Sequence, residues 1–362
     1  MKTAPQGVLI MAGGTGGHIF PGLAVASALQ GHDVSVRWLG ASGAMECQRV
    51  PAAGIPLDVV NIAGLRGKGL QRWLRIPLQL SRAVKQALNL MGRNRPACAI
   101  SFGGYAAGPG GIAARIRGVP LLVHEQNRIP GLTNRVLAKI ATRVLQAFPG
   151  TWPERSGVMT CGNPVRSELA SLNPPEVRLE GRTGRVRLLV MGGSQGSRAL
   201  NKTLPKAIAG LPENLLPEVR HQAGSGGAQA TMDAYAGAAI LARVDEFIDD
   251  MAEAYAWADM VVCRAGALTV SELAAVGIGA VLVPYPHAVD DHQTRNAEYL
   301  VEAGAAVLLP EAECTAERLS AILRDLIADR KKLQEMAVAA REKAVPDAAE
   351  RVAQMCMGYL AT

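Results

Sequence analysis

One pattern occurs twice in this chain and restricts its fold more than any other feature. The apolar run Val8–Ala12 ends in Gly13-Gly14-Thr15-Gly16-Gly17 and passes into a helical segment. The run Val186–Met191 ends in Gly192-Gly193-Ser194-Gln195-Gly196-Ser197 and does the same. A strand that feeds a glycine turn and then a helix is the opening unit of a doubly wound parallel sheet. Its recurrence in a chain of 362 residues predicts an α/β protein of two Rossmann-like domains in tandem, since roughly 150 residues suit one domain. In such folds ligands sit at the carboxyl ends of the strands, so two facing sheets are expected to share one cleft.

The intervening sequence fits. Apolar runs at Asp33–Leu39, Leu57–Ile62, Ala97–Ser101 and Pro120–His124 alternate with helical patterns at Pro21–Gln30, Trp73–Leu90 and Gly110–Arg117. The pattern pauses near Gly162-Asn163-Pro164, and a segment rich in Pro, Glu and Arg runs to Arg185. It resumes with strands at Glu218–Gln222, Ala239–Val244, Met260–Cys263, Gly279–Pro284 and Ala305–Leu309, and helices at Arg198–Ile208 and Ala228–Tyr235. The expected domains are therefore 1–163 and 164–343, with the last helix, within 344–362, crossing back to the first.

Composition excludes several classes. Hydrophobic residues at 49% and charged residues at 19% exclude a disordered chain. With aromatics at only 4%, a base-stacking nucleic-acid binder is disfavoured, and no nucleic acid is expected as partner. Six scattered cysteines without a Cys-x-x-Cys pair argue against zinc and against a disulfide framework, and for reduced thiols in a cytosol. No stretch is long and apolar enough to span a bilayer, and Val8–Ala12 is too short for a signal peptide, so the chain is expected to stay in the cytoplasm.

Charge is polarised. Residues 1–165 hold 18 Lys/Arg against 5 Asp/Glu, a balance of +13, whereas residues 166–362 hold 20 against 26, a balance of −6. Residues 59–124 carry ten basic side chains and no acid. Such a face suits an anionic partner: a membrane leaflet, a polyphosphate or, against the low aromatic content, RNA. Within it Leu65, Leu70, Trp73, Leu74 and Ile76 alternate with Arg66, Lys68, Arg72 and Arg75. This interleaving suits an anionic phospholipid surface, with Leu and Trp in the acyl boundary and Lys/Arg at the headgroups. A loop and helix start whose Leu and Trp face a core is the alternative.

Glycine turns let backbone approach a diphosphate, and the following helix N-terminus adds free N–H groups. No acid follows at the end of the second strand, where Leu39-Gly40-Ala41-Ser42 stands, so an NAD site is disfavoured. His18, just past the first glycine turn, can serve as a general base or simply satisfy a backbone carbonyl. His124-Glu125-Gln126-Asn127 closes a buried strand, and four polar residues there are costly unless a substrate engages them. Thr269-Val270-Ser271-Glu272 reads as a capping box, yet a carboxylate there also suits a ribose diol. Gln293 and Asn296 share a helix face that can meet sugar hydroxyls or solvent. No Asp-x-Asp metal signature occurs.

Taken together, GGTGGHIFPGLAVA, SFGGYAAGPGG, HEQNRIPGLTNR, GGSQGSRALN, EFIDDM and CRAGALTVSE closely resemble the MurG family of bacterial glycosyltransferases, in order and through nearly the whole chain. The resemblance implies the two-domain GT-B fold, no cofactor, and metal-independent, inverting transfer of N-acetylglucosamine from UDP-GlcNAc to lipid I, giving lipid II for peptidoglycan. It also implies peripheral attachment to the cytoplasmic face of the inner membrane, with other cell-wall synthesis proteins as candidate partners.

Carried over motif by motif, Ile248 meets uracil, Ala267, Leu268, Thr269, Val270 and Ser271 hold the nucleotide, and Glu272 takes the ribose diol. Ser194 and Arg166 face the diphosphate and Gln293 the sugar. Thr15, Gly16, Gly17 and Asn127 reach the donor from the first domain. Gly13, Gly14, Gly103, Gly104 and Tyr105 receive the acceptor diphosphate. His18 is the first candidate base and Glu125 the second. A UDP-GlcNAc 2-epimerase of the same fold and a non-catalytic UDP-sugar scaffold are the rival readings.

Overall fold

A computed structural model describes residues 7–62, 70–154, 157–193, 196–286 and 291–360, with backbone alone at 70–76. The chain divides into two compact units, Met1–Arg166 with Val345–Thr362, and Ser167–Ala344.

The first unit is built on strands β1 (Val8–Ala12), β2 (Val36–Ala41), β3 (Leu57–Val60), β4 (Cys98–Gly103), β5 (Leu121–Glu125), β6 (Arg143–Gln146) and β7 (Val158–Thr160). They form one sheet in the order β3-β2-β1-β4-β5-β6-β7, with every pairing parallel. Alternation with period two splits the core between the faces. Val8 and Ile10 pack with Ile19, Val25, Leu29 and the final helix's Val352, Ala353 and Cys356 on one side. Leu9 and Met11 pack with Ala83, Ala87, Met91, Ala113 and Leu137 on the other.

Strands β8 (Arg187–Met191), β9 (Glu218–Gln222), β10 (Ala242–Asp245), β11 (Met260–Cys263), β12 (Gly279–Leu282) and β13 (Ala306–Leu308) form the second sheet. Its order is β10-β9-β8-β11-β12-β13, and it too is wholly parallel. Both sheets reverse direction of growth beside their first strand, between β1 and β4 and between β8 and β11. That reversal parts the flanking connections and opens a crevice at the carboxyl ends.

Three local differences from the sequence reading have physical causes. The first helix spans Gly16–Gly31, with Pro21 inside it, rather than starting at Pro21; tertiary packing overrides the poor helix propensity of glycine. Strands β6 and β7 escaped the reading because they are short, and the sequences RVLQ and VMT carry little pattern. The capping box does not form. The helix Ala267–Val276 has Gly266 at its N-cap without a side-chain cap, which places Thr269 and Glu272 inside it. Among the described residues no helix is long and apolar enough to cross a membrane.

Candidate active site

At the first reversal two glycine loops meet backbone to backbone. Gly14, Gly103 and Gly104 all have positive φ (87°, 101° and 92°), and a Cβ on Gly104 would lie 2.3 Å from the Gly13 carbonyl oxygen. Only glycine permits both the conformation and the approach. His18 projects from the first turn of the helix Gly16–Gly31 into this corner. Its Nδ1 is 3.1 Å from the Gly13 carbonyl oxygen and 3.3 Å from Thr15 Oγ1. A carbonyl only accepts, so Nδ1 carries the proton and Nε2 keeps its lone pair. Nε2 lies 3.2 Å from where a Cβ of Gly103 would stand, and the half-exposed Tyr105 ring packs against Gly14. The structure thus gathers Gly14, Thr15, His18, Gly103, Gly104 and Tyr105 at one strand reversal, with Gly16 and Gly17 opening the adjoining helix.

The polar end of β5 is a different case. Glu125 is buried, and its carboxylate accepts from Asn127 N and Nδ2, Gly131 N and Asn134 Nδ2, each at 3.0 Å. Four N–H donors occupy the acceptor positions of a carboxylate, leaving none for a substrate hydroxyl. As a candidate base Glu125 is therefore corrected: it clasps the 127–134 loop. His124 Nε2 donates to the Gly162 carbonyl at 3.0 Å, its Nδ1 accepts from Gln126 Nε2 at 3.1 Å, and burial lowers its pKa to about 4. Asn134 also donates to the His124 carbonyl and accepts from Ser101 Oγ. Burial of His124 and Glu125 is thus compensated within the unit, whereas the buried Gln126 Oε1 meets no donor among the described residues, so the substrate reading of this strand end stays with Gln126 and the partly exposed Asn127.

Sequence reasoning missed Glu46. It comes from the helix after β2, is fully buried, and accepts from Gly14 N (3.0 Å) and Ala41 N (2.9 Å). This is the acid absent from the end of β2, delivered from five residues further on. Because both oxygens face backbone N–H groups, it is in no position to read a ribose. Arg166 lies at the end of the first stretch of this unit, its guanidinium 5.9 Å from the Phe20 ring centroid.

In the second unit the turn after β8 packs against the chain after β9, so that a Cβ on Gly196 would meet the Ala223 carbonyl at 2.0 Å. Ser197 caps the helix Arg198–Ala209 by accepting from Leu200 N. After β11 the helix Ala267–Val276 opens with Ala267, Leu268 and Thr269, followed by Val270 and Ser271. The carboxylate of Glu272, nearly buried, accepts from the Tyr255 hydroxyl at 3.2 Å. Ile248 is buried in the loop that follows β10. Gln293 Oε1 accepts from Tyr285 N at 2.9 Å. Asn296 does not share an open face with it: fully buried, it donates to the Ala265 carbonyl at 3.4 Å, which corrects both the sugar and the solvent readings.

Arg264, immediately after β11, was also missed. It donates to the carbonyls of Val283 and Pro284, pairs with Glu311 and lies over the Tyr285 ring. A lone cation just past a four-residue apolar strand was the available signal. Leu65 and Ser194 lie outside the described residues, and Leu70, Arg72, Trp73 and Arg75 are described only as backbone of the helix Leu70–Arg93.

Two doubly wound units, each with a glycine turn at its strand reversal, are the architecture of the GT-B fold. Residues 8–146 match the glycosyltransferase family 28 N-terminal domain and residues 187–352 the family 28 C-terminal domain. The chain belongs to glycosyltransferase family 28. A relative from Marinobacter nauticus, 53% identical over 96% of both chains, is named UDP-N-acetylglucosamine--N-acetylmuramyl-(pentapeptide) pyrophosphoryl-undecaprenol N-acetylglucosamine transferase. One of the same name from Xanthomonas campestris pv. campestris is 56% identical over 97% of this chain and 81% of its own. The crystal structure of Acinetobacter baumannii MurG superposes with a TM-score of 0.85 at 40% identity, covering 98% of this chain and all of that one. The UDP-GlcNAc 2-epimerase of Neisseria meningitidis, at 11% identity and a TM-score of 0.66, shares the fold alone.

Proposed function

We propose that this chain transfers N-acetylglucosamine from UDP-GlcNAc to the C4 hydroxyl of MurNAc in lipid I, inverting the anomeric centre. The observation that carries this reading is the near full-length match, above half identity, to transferases so named. His18 is the base: its Nδ1 is engaged by a carbonyl, so Nε2 is the nitrogen that takes the proton of the attacking hydroxyl. Gly14, Gly103, Gly104 and Tyr105 receive the acceptor diphosphate. Glu272 takes the donor ribose, Ile248 the uracil, the 267–271 helix start the nucleotide, and Gln293 the sugar. Thr15, Gly16, Gly17 and Asn127 complete the donor contacts. Charge developing on the departing UDP is met by Ser194, by Arg166 and by the N-terminus of the helix Arg198–Ala209.

Attachment to the cytoplasmic membrane surface belongs to the same proposal. Its support is the run of ten bases without an acid at 59–124, together with Leu78 and Ile116, which are exposed beside Arg82, Arg115 and Arg117. Radiolabelled UDP-GlcNAc offered with a short-chain lipid I analogue, with and without EDTA, tests the reaction. Acceptor-dependent product that resists EDTA is expected. Conversion of UDP-GlcNAc without acceptor would indicate epimerisation, and binding with no product a scaffold.

A further inference from the structure

Glu46 and His18 do not touch, but they hold opposite ends of one peptide group. The Gly14 N–H donates to the Glu46 carboxylate at 3.0 Å, and the Gly13 carbonyl of that same peptide unit accepts from His18 Nδ1 at 3.1 Å. A trans peptide points its N–H and C=O in opposite directions, so carboxylate, amide and imidazole stand in series. The packing admits little else in that place: a Cβ on Gly13 would lie 2.2 Å from Glu46 Oε1, and one on Gly40 would lie 2.6 Å from Glu46 Cγ.

We infer that Glu46 is a positioning residue for His18, acting through the Gly13–Gly14 peptide. An amide whose N–H donates to a carboxylate is polarised, and its carbonyl becomes a stronger acceptor. The Gly13 carbonyl therefore holds Nδ1–H, selects the tautomer with Nε2 unprotonated, and favours the imidazolium formed when Nε2 gains the acceptor proton. The arrangement does the work of a carboxylate bound directly to a catalytic histidine, with one peptide unit inserted between the two. Glu46 also accepts from Ala41 N at 2.9 Å, which tethers the carboxylate to the end of β2 and keeps it from swinging toward solvent. This inference rests on His18 as the base, and its test separates the two.

The tautomer is read on the unmodified protein by nitrogen-15 NMR with labelled histidine. A neutral His18 protonated at Nδ1, against the preference of free imidazole for Nε2–H, is expected; an Nε2–H tautomer overturns the relay, and this reading needs no variant to fold. Kinetics give the second arm. Glu46→Gln removes the charge at nearly constant shape and should lower kcat about tenfold or more, with the KM for UDP-GlcNAc within about twofold of the parent. In a His18→Ala background the same change should alter the residual rate by less than about twofold, because its route of action is gone. A full penalty retained there overturns the relay and leaves Glu46 a loop support. If His18→Ala alone leaves turnover intact, the base reading falls instead.

Discussion

The Tyr255 hydroxyl, on the helix Met251–Trp257, donates to the Glu272 carboxylate, on the helix Ala267–Val276, at 3.2 Å, with both side chains buried. The bond aims a carboxylate from within a helix, six positions past its N-cap, where it has no capping duty. Glu272→Ala should therefore weaken UDP binding by about 1.5–3 kcal/mol and lower fold stability by about 1–3 kcal/mol through the lost buried bond. Calorimetry with UDP and thermal melts check this. Unchanged affinity with a lowered melting temperature would leave Glu272 a purely structural residue.

His18→Ala should reduce kcat by roughly 10²–10⁴ while UDP affinity stays unchanged. Steady-state rates with a lipid I analogue and titration with UDP measure the two sides. A drop of less than about tenfold would move the proton to a water chain or another group.

Glu125→Gln should act on stability before chemistry. It places an amide NH₂ against backbone and side-chain N–H donors in a buried clasp, and loss of bonds to a charged acceptor costs about 1.5–3 kcal/mol. Denaturant unfolding should show the loss. A variant of normal stability with turnover abolished would restore Glu125 as a reacting group.

Acid should destabilise the first unit through His124. Its pKa falls from 6.5 to about 4 on folding because burial penalises the charged ring. The unfolded chain therefore binds the proton more readily, and the contribution is fully present above pH 6.5 and lost as pH falls toward 4. At 1.36 kcal/mol per pKa unit the loss is on the order of 3 kcal/mol. His221, lowered to about 3 by burial, works in the same direction in the second unit. Unfolding free energies at pH 7.5 and 4.5 measure it, and equal values would contradict a neutral buried His124.

Arg72→Glu with Arg75→Glu should release the protein from vesicles rich in phosphatidylglycerol or cardiolipin, since each base near an anionic surface is worth about 1 kcal/mol. UDP binding and activity on a water-soluble acceptor should survive, while activity on full-length lipid I in vesicles should fall. Continued co-sedimentation at low salt would assign the membrane face elsewhere.

The doubly wound character of both sheets is written in neighbouring residues. Val8–Ala12 followed by glycines, and Val186–Met191 followed by glycines, announce a strand, a turn and a helix before any contact is known. Their nearly unbroken apolar character also fits strands buried on both faces. The motif that carries His18 is equally local, because the histidine stands within five residues of the carbonyl that orients it.

Which groups hold Glu46, Glu125 and Glu272 was decided only by tertiary packing. As sequence, Glu125 near Asn127 looks like substrate chemistry and Glu272 looks like half of a capping box, while Glu46 carries no reading at all. In the fold Glu125 accepts from Gly131 and Asn134, Glu272 from Tyr255, and Glu46 from Gly14, 32 positions earlier in the chain. Helix and strand propensities act between near neighbours, so the sequence by itself determined the elements and their glycine turns. A buried carboxylate is bound by whichever N–H or O–H donors the packed chain brings to it, and at desolvation costs of several kcal/mol that choice decides its role.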